Sequence, residues 1–338
     1  MQCLAFLSAC LFSVFTATAQ ADEALLMRPE VQAFMEQTSR ERGVPRDVIE
    51  ATLRAVNTKP SILKIMDRPS TSRPWYQFRP NFLNTALIDG GVAFWAKHAK
   101  TLQAVEQHYG VPAEIIVAIL GVETRYGRLS GNFRVVDALS TLAFDYPRRA
   151  SYFNSELAEF FHLTLEENAD PLSFVGSYAG AMGMPQFMPS SFRKWAVDFD
   201  GDGHRNIWAS PADAIASVAN YLQKHGWQKG ADVVLPVDAS EVKERERLVA
   251  DKFNLHYSIA ELKQRGLKTL GGEGNDRAKA VLFPLETAAG VTEYWIGLQN
   301  FYTITRYNKS TLYAMAVHQL AEEIHDKRLA ALAAAASQ

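Results

Sequence analysis

The sequence predicts an α+β fold that is mostly α. Apolar residues recur at helical spacing from residue 23 to about 225, and Gly-x-Pro steps at Gly43–Pro45 and Gly110–Pro112 mark helix starts. Past Gly226 the texture changes. "ADVVLPV", "AKAVLFPL" and "TEYWIGL" are short β-rich runs bounded by Gly and Pro, which point to a small β region over about 231–297. "STLYAMAVHQLAEEI" (310–324) then returns to helical spacing.

The elements follow in order. Pro45 starts a helix with Asp47 in its first turn. "TKPSILKIMDRPSTSRPWYQFRP" is rich in Pro, Ser and Arg and reads as an extended linker. One long helix is expected over 85–109, and the next begins at Pro112. Further helices are expected over 135–143, 151–166, 189–195 and 211–225. The tail "LAALAAAASQ" favours helix but offers little to pack. No repeat of 20–50 residues is visible.

The 338 residues suffice for two or three domains. A net charge of −2 gives no global basic field, so no nucleic-acid partner is expected. Twelve Tyr and six Trp suit stacking on cyclic ligands as well as ordinary core use. Both cysteines, Cys3 and Cys10, lie in "MQCLAFLSACLFSVFTATAQ". This uncharged apolar opening ends in Ala17-Thr18-Ala19 and reads as a signal peptide over residues 1–19. "LSAC" (7–10) also resembles a lipoprotein box with Cys10 as the lipidated residue. The expected location is therefore the periplasm, with an outer-membrane anchor through Cys10 as the alternative. The folded part carries no disulfide, and no later run is apolar enough to span a membrane.

"GVETRYG" (121–127) places Glu123 at the end of a helix, "PAEIIVAILGVE", that is apolar nearly all round and therefore buried. Desolvation and the negative helix end both raise a carboxyl pKa there, as a general acid requires. A buried ion pair with Arg125 or a distant Arg is the other reading. A two-carboxylate glycosidase needs a partner acid. Asp137, Asp145, Glu156, Glu159, Glu166 and Glu167 read mostly as solvated helix faces, so a one-carboxylate mechanism is open. Gly127 is the expected helix terminator.

"GSYAGAMGMPQFMPSSF" (176–192) is rich in small residues that admit a ligand to the backbone, with Ser177 and Gln186 able to bond an amide or hydroxyl. A packed loop explains it equally. In "DFDGDGHRNIWASPAD", Asp198, Asp200 and Asp202 stand at positions 1, 3 and 5 of an EF-hand-like loop, with Gly203 at 6 and the His204 carbonyl at 7. Position 12 is Ala209, so Asp213 would have to close a longer loop. A structural Ca²⁺ is expected, against the alternative of a solvated turn.

"GVETRYG", "FDYPRRASYF", "GSYAGAMGMPQFMPSSF", "DFDGDGHRNIW", "ANYLQKHGW" and "NFYTITRYNKSTLYAMAV" together resemble the membrane-bound lytic murein transglycosylase B family, over about residues 25 to 325. The resemblance implies a lysozyme-like catalytic core with a helical domain and a small β domain. The implied layout is a helical domain over 23–95, a core with the EF-hand-like loop over 96–230, the β domain over 231–297 and a returning segment over 298–338. Glu123 matches the family's sole catalytic acid/base, acting on the bond between N-acetylmuramic acid and N-acetylglucosamine and then on the C6 hydroxyl, which closes a 1,6-anhydro ring. No cofactor is implied for catalysis.

Ser177, Gln186, Arg148, Arg149, Tyr152, Tyr221, Tyr302, Tyr307 and Asn308 match substrate-lining positions. Asp198, Asp200, Asp202, His204 and Asp213 match the calcium site, although "WASPAD" is one residue longer than usual. The family commonly has Tyr where Phe78 stands in "WYQF". Glycan strands are the implied partner of an expected monomer, with wall synthesis or hydrolysis complexes as further partners. A hydrolytic muramidase and a non-catalytic peptidoglycan-binding protein are the competing functions. The second would be marked by a changed residue at 123, and Glu123 is intact.

Overall fold

The computed structural model describes residues 23–67, 73–272 and 274–337. The expected signal peptide and Cys10 lie outside the described residues. The described residues divide into two compact units, residues 23–67 with 132–180 and residues 73–131 with 181–337.

The first unit is helical. Helices Pro29–Arg42, Val135–Asp145 and Ala150–Glu166 share an aromatic core in which Phe34 meets Phe144 edge-on at 5.7 Å and Phe161 at 6.1 Å. Two short strands, Phe133–Arg134 and Val175–Gly176, pair antiparallel. Pro45 caps helix Arg46–Arg54 as its position predicts. The linker expectation fails at Pro60–Met66, which is a helix. Its start is pinned by the Lys59 amide donating to Thr141 Oγ1 at 2.9 Å, and Ile62 is fully buried.

In the second unit, Trp75–Phe78 is likewise helical rather than extended, and Trp75 is buried. The expected helix over 85–109 divides into Thr85–Lys97 and Ala99–Tyr109, because His98 leaves helical dihedrals at φ −113° and ψ 24°. Helix Ala113–Thr124 packs against Thr85–Lys97, Pro211–Lys224 and the long C-terminal helix Thr311–Ala336. That enclosure explains its apolar circumference: every residue from Ile115 to Gly121 is buried.

The same unit holds a five-stranded antiparallel sheet. Its order is Tyr257–Ser258, Lys279–Ala288, Val291–Gly297, Val234–Asp238, Lys268–Thr269. Val237, Leu262, Leu282 and Ile296 form its own core. Phe283 stacks on Phe301 at 4.6 Å, which fastens the sheet to helix Gln299–Tyr307. The fold is thus α+β and mostly α, with every strand of this sheet between residues 234 and 297.

Candidate active site

Helix Ala113–Thr124 ends in an unusual way. Arg125, Tyr126 and Gly127 all take positive φ, at 51°, 64° and 85°. The terminator is therefore Arg125, two residues before the expected glycine. Two non-glycine residues in this region cost roughly 1 kcal/mol each or more, so surrounding contacts must hold them. The Arg125 and Tyr126 amides reach back to the Gly121 and Leu120 carbonyls at 2.9 and 3.0 Å. Thr124 Oγ1 donates to the Met184 carbonyl at 2.9 Å and accepts from the Gly127 amide at 3.0 Å. Tyr126 folds back over the helix, and its hydroxyl donates to the Leu87 carbonyl at 2.7 Å. A Cβ on Gly121 would sit 2.7 Å from that hydroxyl oxygen. The spacing Gly121, Glu123, Tyr126 in "GVETRYG" is thereby explained: the glycine leaves room for the ring that fixes the end of the acid's helix.

Glu123 keeps a partly accessible surface, yet protein crowds its carboxyl densely enough that desolvation pushes its pKa up to about 7. The opposing contribution is one hydrogen bond, from the Tyr313 hydroxyl to Glu123 Oε1 at 2.6 Å. This partner is a hydroxyl and not Arg125, which is exposed at the helix end. Burial, reinforced by the Glu123 charge, raises the Tyr313 and Tyr307 phenols well above the ordinary range, so both stay neutral donors. Tyr313 itself is placed by its helix start: Ser310 Oγ accepts from the Tyr313 amide at 3.2 Å.

Residues 182–187 form a tight hairpin in which Met182 and Phe187 exchange backbone hydrogen bonds. Gly183 is required there, because φ is +64° and a Cβ would meet the Ile207 carbonyl oxygen at 2.7 Å. Tyr307 donates to the Pro185 carbonyl at 2.6 Å. Gln186 has φ 53°, and its amide nitrogen donates to the Ser130 and Gly183 carbonyls at 3.1 and 3.0 Å. Tyr221 meets Tyr307 edge-on at 4.8 Å, and its hydroxyl donates to the Arg306 carbonyl. Glu123, Gln186, Tyr221 and Tyr307 thus belong to one network within the second unit, with Tyr313 added. Tyr302 instead carries the Arg306 guanidinium over its ring at 4.3 Å. Asn308 is exposed where helix Gln299–Tyr307 ends.

Arg148, Arg149, Tyr152 and Ser177 lie in the first unit. Arg149 stacks on Tyr152 at 4.4 Å, and burial raises that phenol to about 12. Arg148 stands largely exposed near Asp67. Ser177 Oγ accepts from the Ala179 amide at 3.2 Å. Three acids of this unit correct the expectation of solvated faces: Asp137, Glu156 and Glu159 are buried. Arg134 binds Asp137 through two nitrogens, at 2.8 and 2.9 Å, and the Asn57 amide adds a third contact. Arg42 meets Glu159 at 2.8 Å. Such pairing marks Asp137 and Glu159 as structural.

Asp198, Asp200 and Asp202 are exposed, and one carboxylate oxygen from each lies within 4.8 Å of the others. Asp213 does not join them. It is fully buried, and its two oxygens accept from the Phe199 and Asn206 amides, both at 2.8 Å. The His204 amide donates to Asp202 Oδ1 at 2.9 Å. Three hard oxygen donors on a loop of this shape fit a calcium ion.

The model of a family described as the transglycosylase SLT domain matches residues 27–322. The membrane-bound lytic murein transglycosylase B of Escherichia coli K12 is 44% identical over 306 residues, covering 88% of this chain and 82% of that protein. The solved soluble lytic transglycosylase SltB1 of Pseudomonas aeruginosa is 50% identical at a TM-score of 0.83, covering 89% of this chain and 99% of that one. The Escherichia coli lytic transglycosylase Slt35, solved in complex with calcium, is 43% identical at a TM-score of 0.81, covering 90% and 95%.

Proposed function

We propose, from the premise that the chain belongs to the transglycosylase SLT family, that Glu123 alone performs both proton transfers of a peptidoglycan lytic transglycosylase. The lyase activity follows the family; the roles of individual residues are our reading. The supporting observation is a carboxyl whose burial raises its pKa to about 7, so that a large fraction carries a proton near neutrality.

Glu123 donates that proton to the oxygen linking N-acetylmuramic acid to N-acetylglucosamine as the C1–O bond breaks. The N-acetyl carbonyl supports the positive charge that develops. The resulting carboxylate then takes the proton of the C6 hydroxyl as that oxygen bonds to C1. The acid is regenerated, and one chain end is left as 1,6-anhydromuramic acid. No second carboxylate is needed, because the nucleophile is part of the substrate. Tyr313 holds the Glu123 oxygen in one orientation throughout. Gln186, Tyr221 and Tyr307 shape the adjoining wall. Substrate contacts through Arg148, Arg149, Tyr152, Ser177, Tyr302 and Asn308 rest on the resemblance of their motifs.

Asp198, Asp200 and Asp202, with the His204 carbonyl, would hold a calcium ion that cross-links the loop. Asp213 supports the loop backbone from beneath. The donor set supports this, and Slt35 has been solved with calcium. Among the described residues, no helix is long and apolar enough to cross a membrane. We place the mature protein in the periplasm, with Cys10 lipidation as the alternative to simple cleavage.

Mass analysis of muropeptides released from purified sacculi tests the reaction. Anhydromuramoyl ends, lighter by one water, support it. Reducing ends would make the protein a hydrolytic muramidase, and release of nothing would leave a binding protein.

A further inference from the structure

The second unit contains a groove of about 960 Å³ that Glu123 does not line. Among the described residues, six carboxylates border it, those of Glu114, Asp232, Glu293, Glu322, Glu323 and Asp326, with Arg79 as the one lining Arg or Lys. Arg79 is already engaged by Gln319 at 3.1 Å and by Glu323 at 4.0 Å. His318 adds little charge. Burial lowers His318 to about 4, and His325 Nδ1 stands 4.0 Å from Glu114 Oε2.

The acids outnumber the basic groups that line the groove with them, although His318 Nε2 stands 3.4 Å from Glu322 Oε1. Glu322 and Asp326 are one helical turn apart, a like-charge spacing that disfavours the helix. Burial first, then Asp326 and Glu323, push the Glu322 carboxyl up. Beside the groove, burial and the Glu114 charge likewise raise Glu106, which a hydrogen bond from the Ala113 amide, then Lys229 and His325, partly offset. Trp75, Tyr76 and Trp227 supply aromatic wall, and the Trp227 indole N–H is buried without a partner among the described residues.

We propose that this groove binds an extended polypeptide segment carrying two or more Lys or Arg side chains, supplied by a partner protein. Charge complementarity selects a cation, and aromatic rings beside carboxylates suit ammonium and guanidinium groups. The spread of the acids selects an extended segment. Glu114, Asp232 and Glu293 come from three separate elements, and the stretch from His318 to Asp326 runs roughly 12 Å along one helix at 1.5 Å per residue. One compact cation could not face them all.

The test is titration of the full chain with hexalysine at low salt, followed by calorimetry and by tryptophan fluorescence. The triple variant Glu114→Gln, Glu322→Gln, Asp326→Asn should bind at least tenfold more weakly. A control with Glu36→Gln and Glu41→Gln, which lie outside the groove, should bind as the parent does. Melting curves guard against misfolding, because removing like charges should hold or raise the midpoint. Equal binding by the triple variant and the parent overturns the proposal. So does a loss of sacculus binding in the triple variant, which would make the wall polymer itself the occupant.

Discussion

The Tyr313 hydroxyl donates to Glu123 Oε1 at 2.6 Å, joining the first turn of the C-terminal helix to the last turn of the acid's helix. It is the one resolved influence that opposes the upward shift of the Glu123 carboxyl. Removing it has a defined sign. In Tyr313→Phe the Glu123 pKa should rise, because burial then acts unopposed. The protonated acid should persist to higher pH, and the basic limb of the kcat/KM profile should move up from about 7. An unmoved limb would assign Tyr313 a packing role only.

Glu123→Gln should lower turnover on purified sacculi by roughly 10²–10⁴-fold, the usual range for loss of a general acid, while sacculus binding persists. Muropeptide release and a pull-down with insoluble murein measure the two separately. Full activity in this variant would disprove the proposed proton route.

The same variant should show a pH-dependent gain in stability. The folded-state pKa of Glu123, about 7, lies above the unfolded value. Its stabilising contribution is therefore fully present below an unfolded pKa of roughly 4.3 and is lost as pH rises through about 7. Glutamine cannot ionise and escapes that loss. Relative to wild type, the Gln variant should melt higher at pH ~8 than it does at pH ~4, by a margin visible in thermal scans.

Gly121→Ala should destabilise by about 1–3 kcal/mol, because the added methyl meets the Tyr126 ring and hydroxyl at 2.7 to 2.9 Å. Tyr126→Phe should cost about 1 kcal/mol through the lost bond to Leu87. Urea denaturation measures both. The double variant should depart from additivity, since the two side chains touch.

Chelation should lower the melting midpoint of the wild type and leave Asp198→Ala, Asp200→Ala unaffected. Asp213→Ala should melt lower with or without calcium, because two partly buried backbone amides lose their buried acceptor, a cost of about 1–3 kcal/mol. Midpoints measured in calcium and in EGTA distinguish an ion ligand from a structural support.

Much of this was legible in the sequence. Glu123 stood out because a charge ended an otherwise apolar helix, and Asp198, Asp200 and Asp202 because their spacing repeats a known loop. What escaped was non-local. Tyr313 sits in a run that reads only as helix; the Ser310 cap places it in a first turn, but nothing nearby indicates a partner 190 residues earlier. Arg125 replaces Gly127 as terminator because Thr124 and Tyr126 find distant carbonyls. Glu159 looked solvated because its partner, Arg42, lies on another helix far off in the sequence. Arg134, three residues before Asp137, was a legible partner, but the Asn57 amide that helps bury that acid was not.

Thr124 grips the carbonyl of Met184, and Tyr307 grips that of its neighbour Pro185. The proton-bearing helix and the glycine-rich hairpin therefore form a single rigid jig. Transplanting "GVETRYG" into another scaffold without "MGMPQF" would carry the acid across and leave behind what aims it.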